Sequence, residues 1–270
     1  MLLSVSNIAW AQGDDPALLN LLRANGYAGL DVAPTKIWPD WQATADATVR
    51  FKQQVAAAGL RIIGMQSIFF GTTGLNVFAD GERWLATKRH LRRVAAIARD
   101  IGATRIVFGA PANRDPGNLP AAAATEIAVR RLRRLGGIFA DADTRLCLEP
   151  VPADAGGRFL LTTLETAAFV RQVDHPGVCL NLDAAFLAGE GEPIERTIRS
   201  CADVIGHAHA SEPALGTFAP SRVDHRAIGA ALRKVGYAGA VAIEMRAVAG
   251  AEDRNLRDAM KVVSACYGSA

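Results

Sequence analysis

Short apolar runs alternate with longer amphipathic segments along the whole chain. Runs such as Arg105–Phe108 are almost continuously apolar, as expected of parallel strands that are covered on both faces. The pattern predicts eight strands, at about 2–10, 27–33, 60–68, 104–110, 144–150, 177–184, 204–210 and 239–245. It also predicts eight helices, at about 15–24, 43–58, 81–101, 120–140, 162–173, 191–202, 224–235 and 252–265.

Regular alternation of strands and helices indicates an α/β fold with a parallel sheet. Eight such units in 270 residues, without a linker or a break in composition, match the size of one (β/α)₈ TIM barrel. A doubly wound open sheet is the alternative, but it calls for a glycine-rich phosphate loop after the first strand, and Asn7–Trp10 is not one. We therefore expect residues 1–270 to form a single barrel domain.

Composition narrows the classes of partner. The 30 basic and 27 acidic residues give a net charge of +3, which is too small to predict binding to nucleic acid or to a membrane. The apolar start at Met1–Val5 has no basic segment before it, so it indicates a first strand rather than a signal peptide. The cysteines are scattered without a CxxC pair, which favours a reducing, cytoplasmic setting.

Four predicted strands in the second half end on a carboxylate or an imidazole. These residues are Glu149, Asp183, His209 and Glu244. The carboxyl ends of parallel strands meet at one end of a barrel, so the four side chains should converge there. Their mostly oxygen ligand set predicts a divalent metal ion, with Mn²⁺ as the first choice and Mg²⁺, Co²⁺ or Zn²⁺ as alternatives.

Alternation along each strand extends this prediction. Side chains two residues apart share a face, so several polar pairs should point into the barrel. The pairs are Cys147 with Glu149, Asn181 with Asp183, His207 with His209, and Glu244 with Arg246. Barrel interiors are normally filled by apolar side chains, and a bound cation would offset the cost of gathering carboxylates there.

Each residue also has an ordinary structural explanation when it is taken alone. Asp183 is also a candidate N-cap for the next turn. His209 is equally compatible with a buried structural histidine whose ring nitrogens are hydrogen-bonded. Glu212 is either a support for the ligands or a solvated loop charge. Outside the cluster, Asp224 is expected to cap a helix, His225 to lie on the surface, and His90 and His175 to be structural.

The strand-end motifs resemble those of a known group. They are Leu148-Glu149-Pro150, Leu182-Asp183, Gly206-His207-Ala208-His209-Ala210-Ser211-Glu212 and Ile243-Glu244. With them, nearly the whole chain resembles the sugar phosphate isomerase/epimerase superfamily, the xylose isomerase-like TIM barrels that include ketose 3-epimerases, inosose dehydratases and endonuclease IV. The resemblance implies that the four strand-end residues are the metal ligands, and that Glu149 and Glu244 are also the acid/base pair.

The activity implied is a metal-dependent sugar isomerase or epimerase acting on a small polyhydroxy carbonyl compound. A divalent ion bound to the substrate carbonyl acidifies the neighbouring C–H and stabilises the enediolate. An inosose-type dehydratase with the same metal site, and a non-catalytic sugar-binding barrel, are the alternatives. Endonuclease IV is disfavoured, because its site needs more histidines than the 5 in this chain can supply.

The predicted substrate contacts are less well defined. Ketose 3-epimerases usually carry a histidine where this chain has Phe186 and an arginine where it has Leu215, and both normally contact the sugar. The candidates are Lys36, Trp38, Gln66, His207, Glu212 and Arg246. Lys36 would hold a carboxylate or phosphate, or else be a solvated loop lysine, while Arg246 or Arg222 would replace the missing basic contact. A homo-oligomer is compatible with the resemblance, although no exposed stripe predicts an interface.

Overall fold

The structure, a computed structural model, describes residues 1–11 and 16–268. Eight parallel strands in these ranges close into a barrel in chain order, and the last strand pairs with the first. The strands are β1 Leu2–Ser6, β2 Gly29–Val32, β3 Arg61–Met65, β4 Arg105–Phe108, β5 Arg145–Leu148, β6 Val178–Asp183, β7 Ile205–Ser211 and β8 Ala240–Glu244. The predicted (β/α)₈ barrel is therefore confirmed, and the open doubly wound sheet is excluded.

Nine α-helices surround the barrel within the described ranges, one more than the pattern predicts. They are α1 Pro16–Ala24, α2 Ala45–Ala57, α3 Gly81–Ile101, α4 Ala121–Ala140, α5 Thr163–Val173, α6 Ala184–Gly189, α7 Ile194–Cys201, α8 His225–Lys234 and α9 Glu252–Tyr267. The additional helix is α6, which begins directly after β6 because Asp183 Oδ1 accepts a hydrogen bond of 2.9 Å from the Phe186 amide. Six residues are too few for an amphipathic pattern to become visible in the sequence.

Strand β1 is shorter than expected. It ends at Ser6 rather than near Trp10, because a 3₁₀ turn over Asn7–Ala9 follows it. The Ser6 side chain accepts a hydrogen bond from the Ile8 amide and so caps this turn. The predicted opening residue of the first helix, Asp15, lies outside the described residues.

The helices bury one apolar stripe against the barrel. In α3 this stripe includes Leu91, Val94, Ala98 and Ile101, whose spacing matches a helical repeat. Among the described helices, none is both long enough and apolar enough to cross a membrane. The amphipathic segments of the sequence thus form the outer layer of the barrel.

Inside the barrel, the end opposite the strand carboxyl termini is closed by long side chains. Arg105 Nε reaches across to donate a hydrogen bond of 2.8 Å to the Gly206 carbonyl. Above it, Cys147 and Cys179 are register neighbours on β5 and β6, and their sulfur atoms lie 3.1 Å apart. Both thiols are fully buried, as expected of small apolar side chains. Glu149, Asp183, His209 and Glu244 lie toward the other end of the barrel, at the carboxyl ends of the strands.

Candidate metal centre

Four side chains converge at the carboxyl ends of neighbouring strands β5 to β8. Glu149 follows β5, Asp183 ends β6, His209 lies in β7 and Glu244 ends β8. Each offers one ligand atom, and these atoms all lie within 4.8 Å of one another. Three of the residues are buried and Glu244 is partly buried. The structure thus brings together the four residues that the strand ends predict.

His209 lies at the centre of this cluster. Its Nδ1 is 3.2 Å from Glu149 Oε1 and 3.2 Å from Glu244 Oε2. In spite of these short distances, neither ring nitrogen has a hydrogen-bond partner of acceptable geometry among the described residues. Buried polar atoms without partners are rare and costly, unless a ligand completes them. The imidazole therefore has the surroundings expected of a metal ligand.

The charges of the cluster also fit a divalent cation. Burial, together with the negative charges of Glu149 and Glu244, raises the pKa of Asp183 to about 7. Burial opposes the charging of His209, but the charges of Glu244 and Glu149 outweigh it and raise the pKa of His209 well above its ordinary value. Three carboxylates thus face one imidazole in a buried space, and a bound cation would neutralise the excess negative charge.

Neighbouring side chains hold the carboxylates in place. Asn181 Nδ2 donates a hydrogen bond of 2.6 Å to Glu149 Oε1, and Gln66 Nε2 donates one of 2.7 Å to Glu244 Oε1. Ser211 Oγ similarly donates one of 2.7 Å to Asp183 Oδ2. Partners of this kind orient metal ligands and tune their basicity.

These supporting residues were only partly visible in the sequence. Gln66 is predicted there as a substrate contact, and its amide also bonds the candidate ligand Glu244. Asn181 is predicted to point into the barrel beside Asp183, but without a role, and Ser211 is missing from the predicted site. Each lies two residues from a ligand, at Asp183 and His209, so the alternation along the strands is the signal that identifies them.

Two further residues shape the position of Glu149. A Cβ atom built on Gly109 would lie 1.9 Å from Glu149 Oε2, so the carboxylate occupies space that only glycine leaves open. The buried guanidinium of Arg114 donates a hydrogen bond of 2.5 Å to the Glu149 carbonyl. Burial lowers the pKa of Arg114 to about 10, and the charge of Glu149 partly opposes this shift. Neither residue belongs to a sequence motif, so sequence reasoning missed both.

Two cavities open beside the ligands. The smaller has a volume of about 390 Å³, and Glu149, Glu244 and Gln66 contribute to its lining. The larger has a volume of about 800 Å³, and Asp183 and Arg246 contribute to its lining. Both cavities are lined by Ala155, Phe186 and Leu215, so these residues form the wall between them. We call them the dividing wall.

Lys36 and Trp38 occupy different surroundings. Lys36 Nζ donates hydrogen bonds to the carbonyls of Trp10 and Ala11, and partial burial lowers its pKa. Trp38 is buried in the core, where its ring meets that of Phe51 edge-on at 5.4 Å between centroids. Within the described residues, neither side chain lines either cavity.

His207 lies deeper in the barrel than the ligands. It is fully buried, and its Nε2 is 2.7 Å from Asp31 Oδ2. Ser4 Oγ donates a hydrogen bond of 2.6 Å to the other oxygen of Asp31. Burial would raise the pKa of Asp31, but the nearby imidazole of His207 outweighs it and holds the pKa below its usual value. His207 is therefore paired with Asp31 in the barrel interior.

Glu212 is fully buried, so the interpretation as a solvated charge is wrong, and it bonds to residues other than the four candidate ligands. Its carboxylate accepts hydrogen bonds from the Ser221 hydroxyl and the Arg222 amide, and it lies 3.2 Å from His225 Nε2. The expectation that His225 lies on the surface is wrong, because its side chain is buried and its Nδ1 lies 2.8 Å from the Tyr267 hydroxyl.

Two predictions for the neighbouring loops have opposite outcomes. Asp224 caps helix α8 as expected, since its Oδ1 accepts a hydrogen bond from the Ala227 amide. Arg246 does not share the barrel interior with Glu244, because β8 ends at Glu244 and the alternation stops there. The exposed arginine lines the larger cavity instead.

Comparison with known proteins finds a matching family model and two related sequences. A family model described as a xylose isomerase-like TIM barrel matches residues 19–266. A D-psicose 3-epimerase of Ruminiclostridium cellulolyticum is 29% identical over 120 residues, which cover 44% of this chain and 40% of that protein. An L-ribulose 3-epimerase of Methylomonas sp. is 28% identical over 116 residues, which cover 43% of this chain and 40% of that protein. The matched segments thus span 40% of the length of each of these relatives.

The fold is shared with solved structures over the full length. The crystal structure of a D-psicose 3-epimerase with D-tagatose, from Clostridium cellulolyticum H10, superposes with a TM-score of 0.84 and covers 100% of both chains. The sequence identity is 19%, so this likeness establishes the fold alone.

Proposed function

Because this chain belongs to the xylose isomerase-like TIM barrel family, we propose that it is a divalent-metal-dependent epimerase of small ketoses. Glu149 and Glu244 are its acid/base pair. The observation that carries this proposal is that both glutamates line the smaller cavity and approach the same His209 nitrogen at 3.2 Å. The similarity to a D-psicose 3-epimerase and an L-ribulose 3-epimerase supports a ketose as the substrate.

The donor set supports a bound divalent cation, held by Glu149, Asp183, His209 and Glu244. Such an ion, when bound, polarises a substrate carbonyl and acidifies the adjacent C–H. The buried His209 nitrogens, which make no hydrogen bond of acceptable geometry within the described residues, and the excess negative charge of the cluster are two features of this chain that favour it. Mn²⁺ is the first ion to test, because hard oxygen donors predominate.

Epimerisation requires one proton to leave the carbon beside the carbonyl and another to return on its opposite face. One glutamate accepts the proton, while the electron pair of the broken C–H bond moves into the enediolate. The other glutamate, in its protonated form, then delivers its proton to the opposite face. The amides of Asn181 and Gln66 hold the two carboxylates, so that neither has to be positioned by the substrate.

The test is proton exchange with the solvent. The Mn²⁺-loaded protein should carry deuterium from D₂O into D-psicose and L-ribulose at the carbon beside the carbonyl, and should form the epimer, both followed by NMR. Glu149→Gln and Glu244→Gln should each abolish epimer formation. Glu192→Gln is the matched control, because it alters an exposed glutamate in the loop between α6 and α7, and it should retain epimer formation.

Three results would contradict the proposal. An unsaturated or deoxy product would instead indicate an inosose-type dehydratase with the same site. Complete lack of exchange by a metal-loaded protein would favour a sugar-binding barrel without turnover. Normal epimerisation by either glutamine variant would remove that glutamate from the mechanism.

A further inference from the structure

The smaller cavity is polar at the ligands and apolar over most of the remaining surface. Its apolar lining includes Phe69, Phe70, Val151, Ala155, Phe186 and Leu215. Besides the two glutamates, the polar side chains lining it within the described residues are Gln66, Ser67 and Asn113. The side-chain amide of Asn113 is already bonded to the Leu75 carbonyl at 2.8 Å. Few polar groups therefore remain to bind hydroxyls far from the ligands.

One buried hydrogen-bond acceptor without a partner among the described residues lies beside the proposed acid/base residue Glu244. Gln66 Nε2 is bonded to Glu244, but Gln66 Oε1 is buried and has no hydrogen-bond partner in the described part of the chain. A substrate hydroxyl near Glu244 would satisfy this acceptor. A hydrogen-bond acceptor for the substrate is thus available beside Glu244.

The dividing wall is held firmly in its place. Ala214 and Leu215 have φ values of 59° and 55°, in the left-handed region that residues other than glycine rarely adopt. Such a conformation persists only where the surroundings fix it, and here the Arg246 amide donates a hydrogen bond of 2.9 Å to the Leu215 carbonyl. Phe186 is fixed through its amide, which is bonded to the ligand Asp183. The apolar surface is therefore a built part of the site.

Apart from the proposed metal ion, no basic group within residues 1–11 and 16–268 faces the substrate across the smaller cavity. Among the described residues, no lysine, arginine or histidine lines the smaller cavity. Arg246 lines the larger cavity on the other side of the dividing wall, and the amine of Lys36 is bonded to backbone carbonyls. A phosphate or carboxylate packed against the apolar lining would find no basic side chain there in the part of the chain that the structure describes, and burying such a charge without a partner is strongly unfavourable.

We propose that the dividing wall selects an unphosphorylated ketose whose end remote from the reacting carbonyl is a methyl group, that is, a terminal-deoxy ketose. This inference rests on the proposed epimerase function. A terminal hydroxymethyl group against Phe186 and Leu215 would lose its hydrogen bonds to water without replacement, whereas a methyl group gains from the contact. An apolar pocket discriminates against an added hydroxyl by about tenfold to a hundredfold.

The experiment compares matched sugars on the Mn²⁺-loaded protein. Calorimetry gives the Kd of D-psicose against 6-deoxy-D-psicose and of L-ribulose against 5-deoxy-L-ribulose, and deuterium exchange gives the corresponding ratios of kcat/KM. The deoxy sugar should bind at least about tenfold more tightly in one or both pairs. Leu215→Arg and Phe186→His should remove or reverse this preference, while the apolar controls Leu215→Met and Phe186→Leu should retain it.

The outcomes separate this inference from the proposed function. Exchange with the parent sugars at equal or tighter Kd would overturn the deoxy preference and leave the epimerase intact. Preferential binding of deoxy sugars without any exchange would support the apolar subsite and overturn the epimerase. Failure of all four sugars to bind, or retention of the preference in both polar variants, would overturn the subsite.

Discussion

Asn181 and Glu149 are joined across adjacent strands by a hydrogen bond of 2.6 Å from the amide Nδ2 to Oε1. Gln66 and Glu244 form the corresponding pair on the other side of the site, at 2.7 Å. In each pair the amide fixes the direction of one carboxylate oxygen through a single hydrogen bond. Both proposed acid/base residues are therefore positioned before a substrate binds.

Replacing Asn181 by leucine, which has a similar size, should lower kcat about tenfold to a hundredfold, the usual effect of losing a residue that orients a metal ligand. Glu149 would keep its place in the chain but lose the bond that fixes its carboxylate. Steady-state kinetics of the Mn²⁺-loaded variant measure this, with circular dichroism to verify the fold. Asn20→Leu, on the exposed face of α1, is the control. Unchanged kcat would show that Glu149 needs no such support.

Gly109→Ala should disable the site without replacing any polar residue. The added Cβ would lie 1.9 Å from Glu149 Oε2 and would force the carboxylate to move. We expect weaker Mn²⁺ binding by calorimetry and at least a hundredfold loss of activity, as for misplaced catalytic groups in general. Gly189→Ala is a matched control, because a Cβ at Gly189 meets no atom within 4 Å. If the two variants behave alike, Glu149 is not confined as described.

Metal binding can be tested without any substrate. The protein should bind about one divalent ion per chain, and Mn²⁺ at a hundred times its Kd should stabilise it by about 2.7 kcal/mol through mass action. Asp183→Ala should remove both the bound ion, measured by elemental analysis, and the thermal stabilisation. Asp154→Ala, an exposed acidic residue beside the larger cavity, should change neither. Equal metal content in the Asp183 variant and the parent would remove Asp183 from the ligands.

The sequence predicted those features of the fold and the candidate site that depend on periodicity and on the residues at strand ends. Alternation along β6 and β7 places Asn181 with Asp183 and His207 with His209 inside the barrel, as the structure has them. The sequence does not predict contacts between segments that are distant along the chain. The space left by Gly109 for Glu149 and the buried place of His225 both depend on packing between separate loops and helices. No local pattern encodes such contacts.

The buried Asp31–His207 pair should contribute to folding rather than to turnover. Asp31→Leu would leave His207 desolvated without its partner, and breaking a buried pair in this way typically costs about 3–5 kcal/mol in the free energy of unfolding. The double variant Asp31→Leu/His207→Leu should lose less, because no unpaired polar group remains. Urea denaturation measures both. A single variant as stable as the parent would contradict the pairing. Glu195→Gln, in the exposed pair with Lys234, is the control and should have little effect.

His90 gives the protein a predictable sensitivity to mild acid. Its ring lies edge-on to Trp41, and its Nε2 is 2.6 Å from the carbonyl of Ile68, in the loop that lines the smaller cavity. Burial lowers the pKa of His90, and the charge of Arg93 lowers it further, although the bond to Ile68 opposes both. The unfolded chain, with an ordinary histidine pKa of about 6.5, therefore takes up the proton first as the pH falls.

The stability that neutral His90 contributes is accordingly present above pH of about 6.5 and is lost as the pH falls toward the lower pKa of the folded state. His90→Gln keeps a donor for the Ile68 carbonyl but cannot titrate. Its Tm should fall less than that of the parent between pH 7.5 and pH 5.5, in metal-free buffer, because the other titrating groups are common to both proteins. Parallel Tm curves for the two proteins would show that His90 does not resist protonation in the folded state.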